Sequence, residues 1–431
     1  MNIYLTKIKE LLKNTPIRPL YWKLRNLPPF RQIRRALNMR QRDLRYGRQF
    51  PAYYAHYADR PLDRRKVIFV EDRYDSLSDN FRLLYNDLTA SGKYRIHVHF
   101  LHQFSVPREE YERNCCALLA DAATAKYIFL NDASPVIGCV ALRPETIVTQ
   151  LWHGCGAFKK FGASTEDKLF GDDQKTRQKH PAPYYKNLTH VTVSSPEVVW
   201  AYEEAMSLEN RPGVVKPVGI SRTDVFFDPA FIRDSVQKVH DFFPASEGKK
   251  IILFAPTFRG RVANATTPDY EEHFQLRKLA QALGDQYVII TKLHPYVRGE
   301  RIPQIPEDLK GSFAADASGV LSIDELLCAV DICISDYSSL IYEYSLFERP
   351  MIFYAYDLDD YFDWRGFYYN YDELTPGPVC RTTDEIIDYI RCIDERFDPR
   401  QVAAFRSLFM GSCDGHATER IEELVFGHSL R

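Results

Sequence analysis

Val330-Asp-Ile-Cys-Ile-Ser335-Asp-Tyr-Ser-Ser339-Leu-Ile-Tyr-Glu-Tyr-Ser-Leu-Phe347 decides the fold. The apolar run Val330–Ile334 reads as a buried strand, and Leu340–Phe347 has a helical pattern. Between them, Ser335, Asp336, Ser338 and Ser339 open the helix. Free backbone N–H groups, Ser hydroxyls and the positive end of the helix dipole suit a phosphate. Ser-Asp is equally an ordinary helix N-cap, so the neighbouring motifs must decide. Trp152-His153-Gly154, Ala255-Pro256-Thr257-Phe258-Arg259 and Lys292-Leu293-His294-Pro295 likewise follow apolar runs.

Working outward, Val67–Val70, Ile96–Leu101, Tyr127–Leu130 and Thr146–Leu151 read as strands, with Ser78–Leu88 as a helix between the first two. Val191–Val193 and Val214–Val218 extend this series. A helical and polar stretch, 228–248, precedes a second series at Ile251–Phe254, Tyr287–Thr291, Ile332–Ser335 and Met351–Phe353. Short apolar strands alternating with helices predict parallel sheets covered on both faces. The expected architecture is α/β, with two doubly wound, Rossmann-like domains facing a cleft. Ligands of such sheets bind beyond the carboxyl ends of the strands. The expected boundaries are a basic arm over 1–60 and domains over 61–240 and 241–431. The helical patterns Gln401–Phe409 and Ala417–Val425 are expected to pack back across the halves.

With 431 residues, 45% hydrophobic and 26% charged, the chain has the composition of a two-domain soluble protein. Its net charge of −2 conceals an imbalance. Residues 1–50 hold 13 Lys/Arg against 2 Asp/Glu, a balance of +11 that leaves −13 on the remainder. Tyr4, Leu5, Ile8, Leu11, Tyr21, Trp22 and Phe30 lie among those cations, a mixture suited to an anionic membrane surface. Pro16, Pro19, Pro28 and Pro29 are expected to break the arm into short helical pieces. No apolar run approaches a membrane span, and Met1–Leu12 lacks a signal-peptide pattern, so the cytoplasmic membrane face is the expected location. The nine Cys show no CxxC pair or metal-ligand spacing, and are expected to be reduced, mostly buried thiols. No metal and no nucleic-acid partner is expected.

His153, at a strand end beside Gly154 and Gly156, suits a general base or phosphate donor, with Lys159 and Lys160 close behind. Lys292 and His294 alternate along the chain, which predicts a cationic pair on one side. Arg259 offers a guanidinium fork to phosphate and Thr257 a hydroxyl. Arg222 and Asp224 follow another strand, as a cleft cap or a plain turn with a salt bridge. Tyr361–Tyr371 is crowded with aromatic residues and is either a pocket lining or a packed loop. Neither a P-loop nor GxGxxG occurs, and Asp172-Asp173 and Asp359-Asp360 read as loop charges. Strand-end cations and hydroxyls imply a nucleotide-diphosphate ligand, its leaving group stabilised by cations and helix dipoles.

Taken in order, these motifs resemble the CDP-glycerol glycerophosphotransferase family of teichoic-acid primases and polymerases. The matching residues are Leu151-Trp152-His153-Gly154 with Lys159-Lys160, Gly219-Ile-Ser-Arg222-Thr-Asp224, Ile252-Leu-Phe-Ala-Pro256-Thr-Phe-Arg259 and Lys292-Leu-His294-Pro295. Ser335–Ser339, Glu348-Arg-Pro350, Tyr356-Asp357-Leu358, Arg365-Gly366-Phe367, Thr375-Pro-Gly-Pro378 and Asp414–Arg420 complete the series. The resemblance covers roughly residues 65–425. It departs after Gly154, where this chain has Cys155-Gly156-Ala157-Phe158-Lys159.

The resemblance implies a GT-B-type fold and a CDP-alditol donor, CDP-glycerol or CDP-ribitol, held mainly by the second half. It implies attack on the donor β-phosphate by a hydroxyl of a lipid-linked or polymeric acceptor, with CMP leaving, and glycerol phosphate is the group expected to be transferred, with ribitol phosphate as the alternative. His153 would then be the base and His294 the group stabilising the donor phosphate. Arg259, Thr257, Lys292, Ser335, Asp336, Ser338 and Ser339 would surround the diphosphate. Trp152, Gly154, Lys159 and Lys160 would face the acceptor, with Arg222, Asp224 and Arg365 as further candidates. The rival readings are a nucleotide-sugar glycosyltransferase on the same architecture and a membrane-docked binding subunit without turnover.

Overall fold

The computed structural model describes residues 28–103, 105–166, 184–260 and 265–430. Residues 1–27 of the basic arm, and Asp172-Asp173, lie outside them. Six strands make the first sheet: β1 (Asp63–Glu71), β2 (Arg95–Phe100), β3 (Ala125–Leu130), β4 (Ile147–Gln150), β5 (His190–Thr192) and β6 (Val215–Lys216). Six more make the second: β7 (Lys250–Ala255), β8 (Tyr287–Thr291), β9 (Ala314–Asp316), β10 (Ile332–Ser335), β11 (Met351–Tyr354) and β12 (Val379–Cys380). The orders are β2-β1-β3-β4-β5-β6 and β12-β11-β10-β7-β8-β9, and every pairing is parallel. This is the expected pair of doubly wound halves.

Alternation along each strand explains why the runs are continuously apolar. Val67 and Phe69 face one layer with Phe81, Leu84 and Leu88, while Ile68 and Val70 face the other. In the second sheet Ile252, Phe254, Ile289 and Ile334 pack on the outer layer. Leu253, Val288, Ile290 and Cys333 instead join a core that also holds Ile68, Val70 and Ile128 of the first half. One continuous apolar core therefore joins the two halves.

Pro28 and Pro29 begin a helix, and Pro16 and Pro19 lie outside the described residues. Helix Pro28–Leu44 is followed by a π-turn at Arg45–Gln49 and by helix Phe50–Ala58. Proline is tolerated in a first turn because the missing N–H has no helical acceptor there. Pro51 lies near the second start, just after the π-turn. Tyr46, Phe50 and Tyr54 are buried, and the Tyr46 and Tyr111 hydroxyls meet at 3.2 Å. From Tyr46 onward this segment belongs to the first-half core.

The C-terminal helix Ala417–Phe426 returns to the first half. Ile421 and Val425 join Val67, Phe69 and Phe81, and Phe426 packs on Tyr94 and Tyr127. Asp224 does not reach the cleft. Its two carboxylate oxygens accept the N–H groups of Ala417 (3.0 Å) and Thr418 (2.7 Å), capping this helix. Arg420 donates to the Val218 carbonyl (2.9 Å) and to Asp414, and Gly219 leaves room for the Ser412 carbonyl, which a Cβ would meet at 2.1 Å. Two motifs nearly two hundred residues apart are thus one architectural lock. Asp224→Ala should lower stability by about 1–3 kcal/mol, the scale for orphaning buried N–H groups. Urea denaturation tests this, and an unchanged midpoint would reject the lock.

Candidate active site

In the second sheet the chain winds outward from β7 one way and from β10 the other. The crevice between their carboxyl ends is the topological switch point. There Asp336 is 2% exposed. Its Oδ1 accepts the N–H groups of Thr257 (2.8 Å) and Tyr337 (2.6 Å), and its Oδ2 accepts Arg259 Nη1 (2.8 Å). Arg259 also donates to the Thr257 carbonyl (2.7 Å) and, through Nε (2.5 Å) and Nη2 (2.8 Å), to Asp357. Tyr337, Tyr356 and Tyr361 surround the guanidinium with ring centroids at 4.9–5.5 Å. The expected phosphate fork is therefore engaged as a clamp between two carboxylates. Ser335 is likewise structural, its hydroxyl donating to the Ala255 carbonyl (2.7 Å). What remains at the crevice is Thr257 Oγ1, buried without a partner, and the half-buried Ser338 and Ser339 at the start of helix Leu340–Ser345.

The cationic pair expected of Lys292 and His294 does not form. Lys292 Nζ caps the carbonyls of Ser318 (3.1 Å) and Leu321. His294 sits between Phe258 and Tyr296, with ring centroids at 4.7 and 4.6 Å. Burial, then Lys159 and Arg73, press its pKa down to about 4, so the imidazole is neutral at pH 7. Its Nδ1 accepts the Tyr296 N–H (3.2 Å), which places the ring proton on Nε2.

The first half has its own switch point, between β1 and β3. Glu71 accepts the Ser78 N–H (2.7 Å) and Asn131 Nδ2 (2.7 Å), fixing the Asn131 loop. The Asn131 carbonyl accepts Nδ1–H of His153 (3.1 Å), and because a carbonyl cannot donate, neutral His153 keeps its lone pair on Nε2. His153 as a residue is exposed, yet desolvation by the protein around its imidazole holds the pKa below the usual 6.5. The chain turns at Trp152, whose φ of +59° is strained for a bulky residue. Its N–H is secured by Gln150 Oε1 (3.1 Å), and its indole stacks on His153 (4.5 Å, 28°).

Arg73, absent from the sequence-based candidates, joins the halves. Its Nε pairs with Asp132 (2.7 Å) and its Nη1 donates to Tyr296 Oη (2.9 Å), beside His294. Both histidines feel its charge. Asp72, next to it, is buried and held protonated by desolvation, with its pKa pushed up to about 8. Asp72 and Arg73 follow β1 and Asp132 follows β3, and that placement was the available signal, since a switch point needs two strand ends.

The His153 loop rests directly on the serine-rich helix. A Cβ at Gly154 would meet Ser339 Oγ at 3.4 Å, and one at Gly156, where φ is +62°, would lie 2.3 Å from the Tyr342 ring. Lys159 bridges to Phe367, the Lys160 N–H donates to the Gly366 carbonyl (3.1 Å), and Lys159 acts electrostatically on His294. Arg222 pairs with buried Glu343 across the halves, and burial raises nearby Asp324 to about 6 against the pull of Arg222. The side chain of Arg365 lies outside the described residues, as do those of Phe362 and Trp364. Tyr361, Phe367 and Tyr371 pack on Tyr337 as a core, whereas Tyr368 and Tyr369 face Trp200.

Two groups of described residues have metal-ligand types. In His97, His99 and Asp121, both imidazoles and Lys66 already engage the carboxylate. In Asp269, Glu272 and His273, Asp269 accepts the Glu271 and Glu272 N–H groups and pairs with His273.

Arg259→Ala strands Asp336 without its cation and should cost about 3–5 kcal/mol. Urea denaturation measures this. Retained stability with lost turnover would mean instead that the guanidinium serves a substrate.

The chain resembles the teichoic acid ribitol-phosphate primase of Bacillus spizizenii (strain ATCC 23059 / NRRL B-14472 / W23), 34% identical over 85% of this chain and 92% of that protein. It is 34% identical to the teichoic acid ribitol-phosphate polymerase TarL of Staphylococcus aureus (strain NCTC 8325 / PS 47), over 84% of this chain and 62% of the polymerase. The solved wall teichoic acid polymerase TagF superposes with a TM-score of 0.68 at 19% identity, covering 91% of this chain and 98% of that one, a likeness of fold. The model of one family matches residues 52–427. The chain belongs to the CDP-glycerol:poly(glycerophosphate) glycerophosphotransferase family.

Proposed function

We propose that the protein transfers an alditol phosphate from a CDP-alditol to a hydroxyl of a lipid-linked or polymeric acceptor, in teichoic-acid-like polymer synthesis. The reading is carried by two histidines held in opposite tautomers at facing switch points, in a chain of this family. His153 offers a lone pair at Nε2 and accepts the acceptor proton. The acceptor oxygen bonds to the β-phosphorus, the bond from that phosphorus to the bridging oxygen breaks, and CMP leaves with that oxygen. His294 offers Nε2–H to a phosphate oxygen, and the cation of Arg73 lies close to both rings. A glycosyltransferase would use the same architecture, but the family match favours phosphoryl transfer. A binding subunit would have no need of two imidazoles poised in complementary proton states. The ribitol-phosphate relatives put CDP-ribitol first among donors, whereas the family description puts CDP-glycerol.

The test is CMP release from CDP-ribitol and CDP-glycerol side by side, with a lipid-linked alditol-phosphate acceptor and UDP-sugars as controls. CMP from one donor only, dependent on acceptor, is the expected result. Turnover of a UDP-sugar alone would overturn the reading. His153→Ala and His294→Ala should each reduce turnover by at least about 100-fold in a folded protein. A depressed pKa keeps His153 neutral to lower pH, so kcat/KM should fall on the acid side with a midpoint below 6.5. An acid limb that persists unchanged in His153→Ala would remove His153 from the base role.

We also propose docking at an anionic, cytoplasmic membrane face. Ile33, Leu37 and Leu44 are exposed on one stripe of helix Pro28–Leu44, which carries Arg31, Arg34, Arg35, Arg40 and Arg42. No helix of the described residues is long and apolar enough to cross a membrane. Deleting residues 1–50 would remove Tyr46 and Phe50 from the core, so Ile33→Glu with Leu37→Glu is the cleaner variant. It should bind vesicles containing anionic lipid more weakly, and unchanged co-sedimentation would reject this surface.

A further inference from the structure

We propose that Trp200, Tyr368, Tyr369 and Glu197 form a sugar-binding subsite on the acceptor side of the cleft. Trp200 is 43% exposed and stands beside the half-buried Tyr368 and Tyr369. It is also held rigidly. Its Nε1–H donates to Tyr369 Oη (3.3 Å), and that hydroxyl donates to Glu197 Oε1 (3.1 Å). Tyr369 is braced by Phe409 (5.2 Å), and Tyr368 donates to Ser164 Oγ (2.9 Å). Both tyrosine rings meet the indole in edge contacts, at 87° and 73°.

The cluster is tied to the reacting centre. Tyr368 meets Phe161 (6.0 Å), Phe161 meets Trp152 (5.1 Å), and Trp152 stacks on His153. It also spans both halves, with Trp200 and Glu197 from the first and Tyr368 and Tyr369 from the second. A braced, exposed indole edged by a carboxylate and a phenol complements a pyranose, which presents C–H groups on a face and hydroxyls at its rim. A lipid surface would disfavour the Glu197 carboxylate at that edge. An alditol-phosphate chain would repel the carboxylate and offers no flat face. The occupant assigned is therefore a sugar ring of the acceptor, an assignment that rests on the transferase reading above.

The test compares a glycosylated acceptor with a sugar-free alditol-phosphate oligomer. Trp200→Ala should raise acceptor KM about tenfold more for the glycosylated acceptor than for the sugar-free one. Trp200→Phe should restore part of that difference. Equal effects on both acceptors, or no effect, would overturn the subsite, as would a loss of vesicle binding in place of the kinetic difference. If Trp200→Ala fails to fold, Tyr369→Phe and Glu197→Gln carry the same comparison. Should wild type turn over neither acceptor, the transferase reading fails first, and saturation-transfer NMR with methyl hexosides and methyl N-acetylhexosaminides decides the subsite alone. Transfer that Trp200→Ala abolishes supports it, and no transfer to wild type overturns it.

Discussion

A single buried carboxylate organises the second half. Asp336 lies where β7 and β10 part company, and a charge so enclosed must be answered by donors on every side. It gathers the Thr257 and Tyr337 amides and the Arg259 guanidinium, and Arg259 carries the demand on to Asp357. Tyr371 then donates to the Asp336 carbonyl (2.9 Å), drawing in the loop that faces Phe158 of the first half. Strand ends, serine-rich turn and inter-half packing follow from satisfying that one group.

Much of the fold could be read from residues alone because parallel strands are apolar on both faces. The runs at Val67, Tyr127, Ile251 and Tyr287 could scarcely be anything else. β9 and β12 are not legible in the sequence, because Ala314–Asp316 and Val379–Cys380 are short edge strands that leave little hydrophobic imprint. The polar motifs were legible as places, not as duties. Their spacing put Arg259, Ser335, Lys292 and Asp224 at strand ends. It could not show which of them turn inward to satisfy carbonyls, amides and carboxylates of the scaffold. That depends on partners such as Asp357, Ser318 and Thr418, brought near only by tertiary folding.

His153 and His294 differ from those scaffold residues in a simple respect. Each spends its Nδ1 on a fixed backbone group and keeps Nε2 for other partners. A carbonyl partner leaves one imidazole an acceptor, and an amide partner leaves the other a donor. Two identical side chains thus acquire opposite chemistry from the polarity of the peptide group beside them. Arg73, bridging Asp132 and Tyr296, places one cation in the electrostatic environment of both.

The helix Ala417–Phe426 gives biosynthesis a particular order. Val67, Phe69 and Phe81 leave the ribosome some 340 residues before Ile421 and Val425, which cover them. At about 5–20 residues per second, that patch stays uncovered for tens of seconds. The nascent first half therefore carries an exposed apolar face throughout synthesis of the second, and that face is a natural target for a chaperone until the last helix docks.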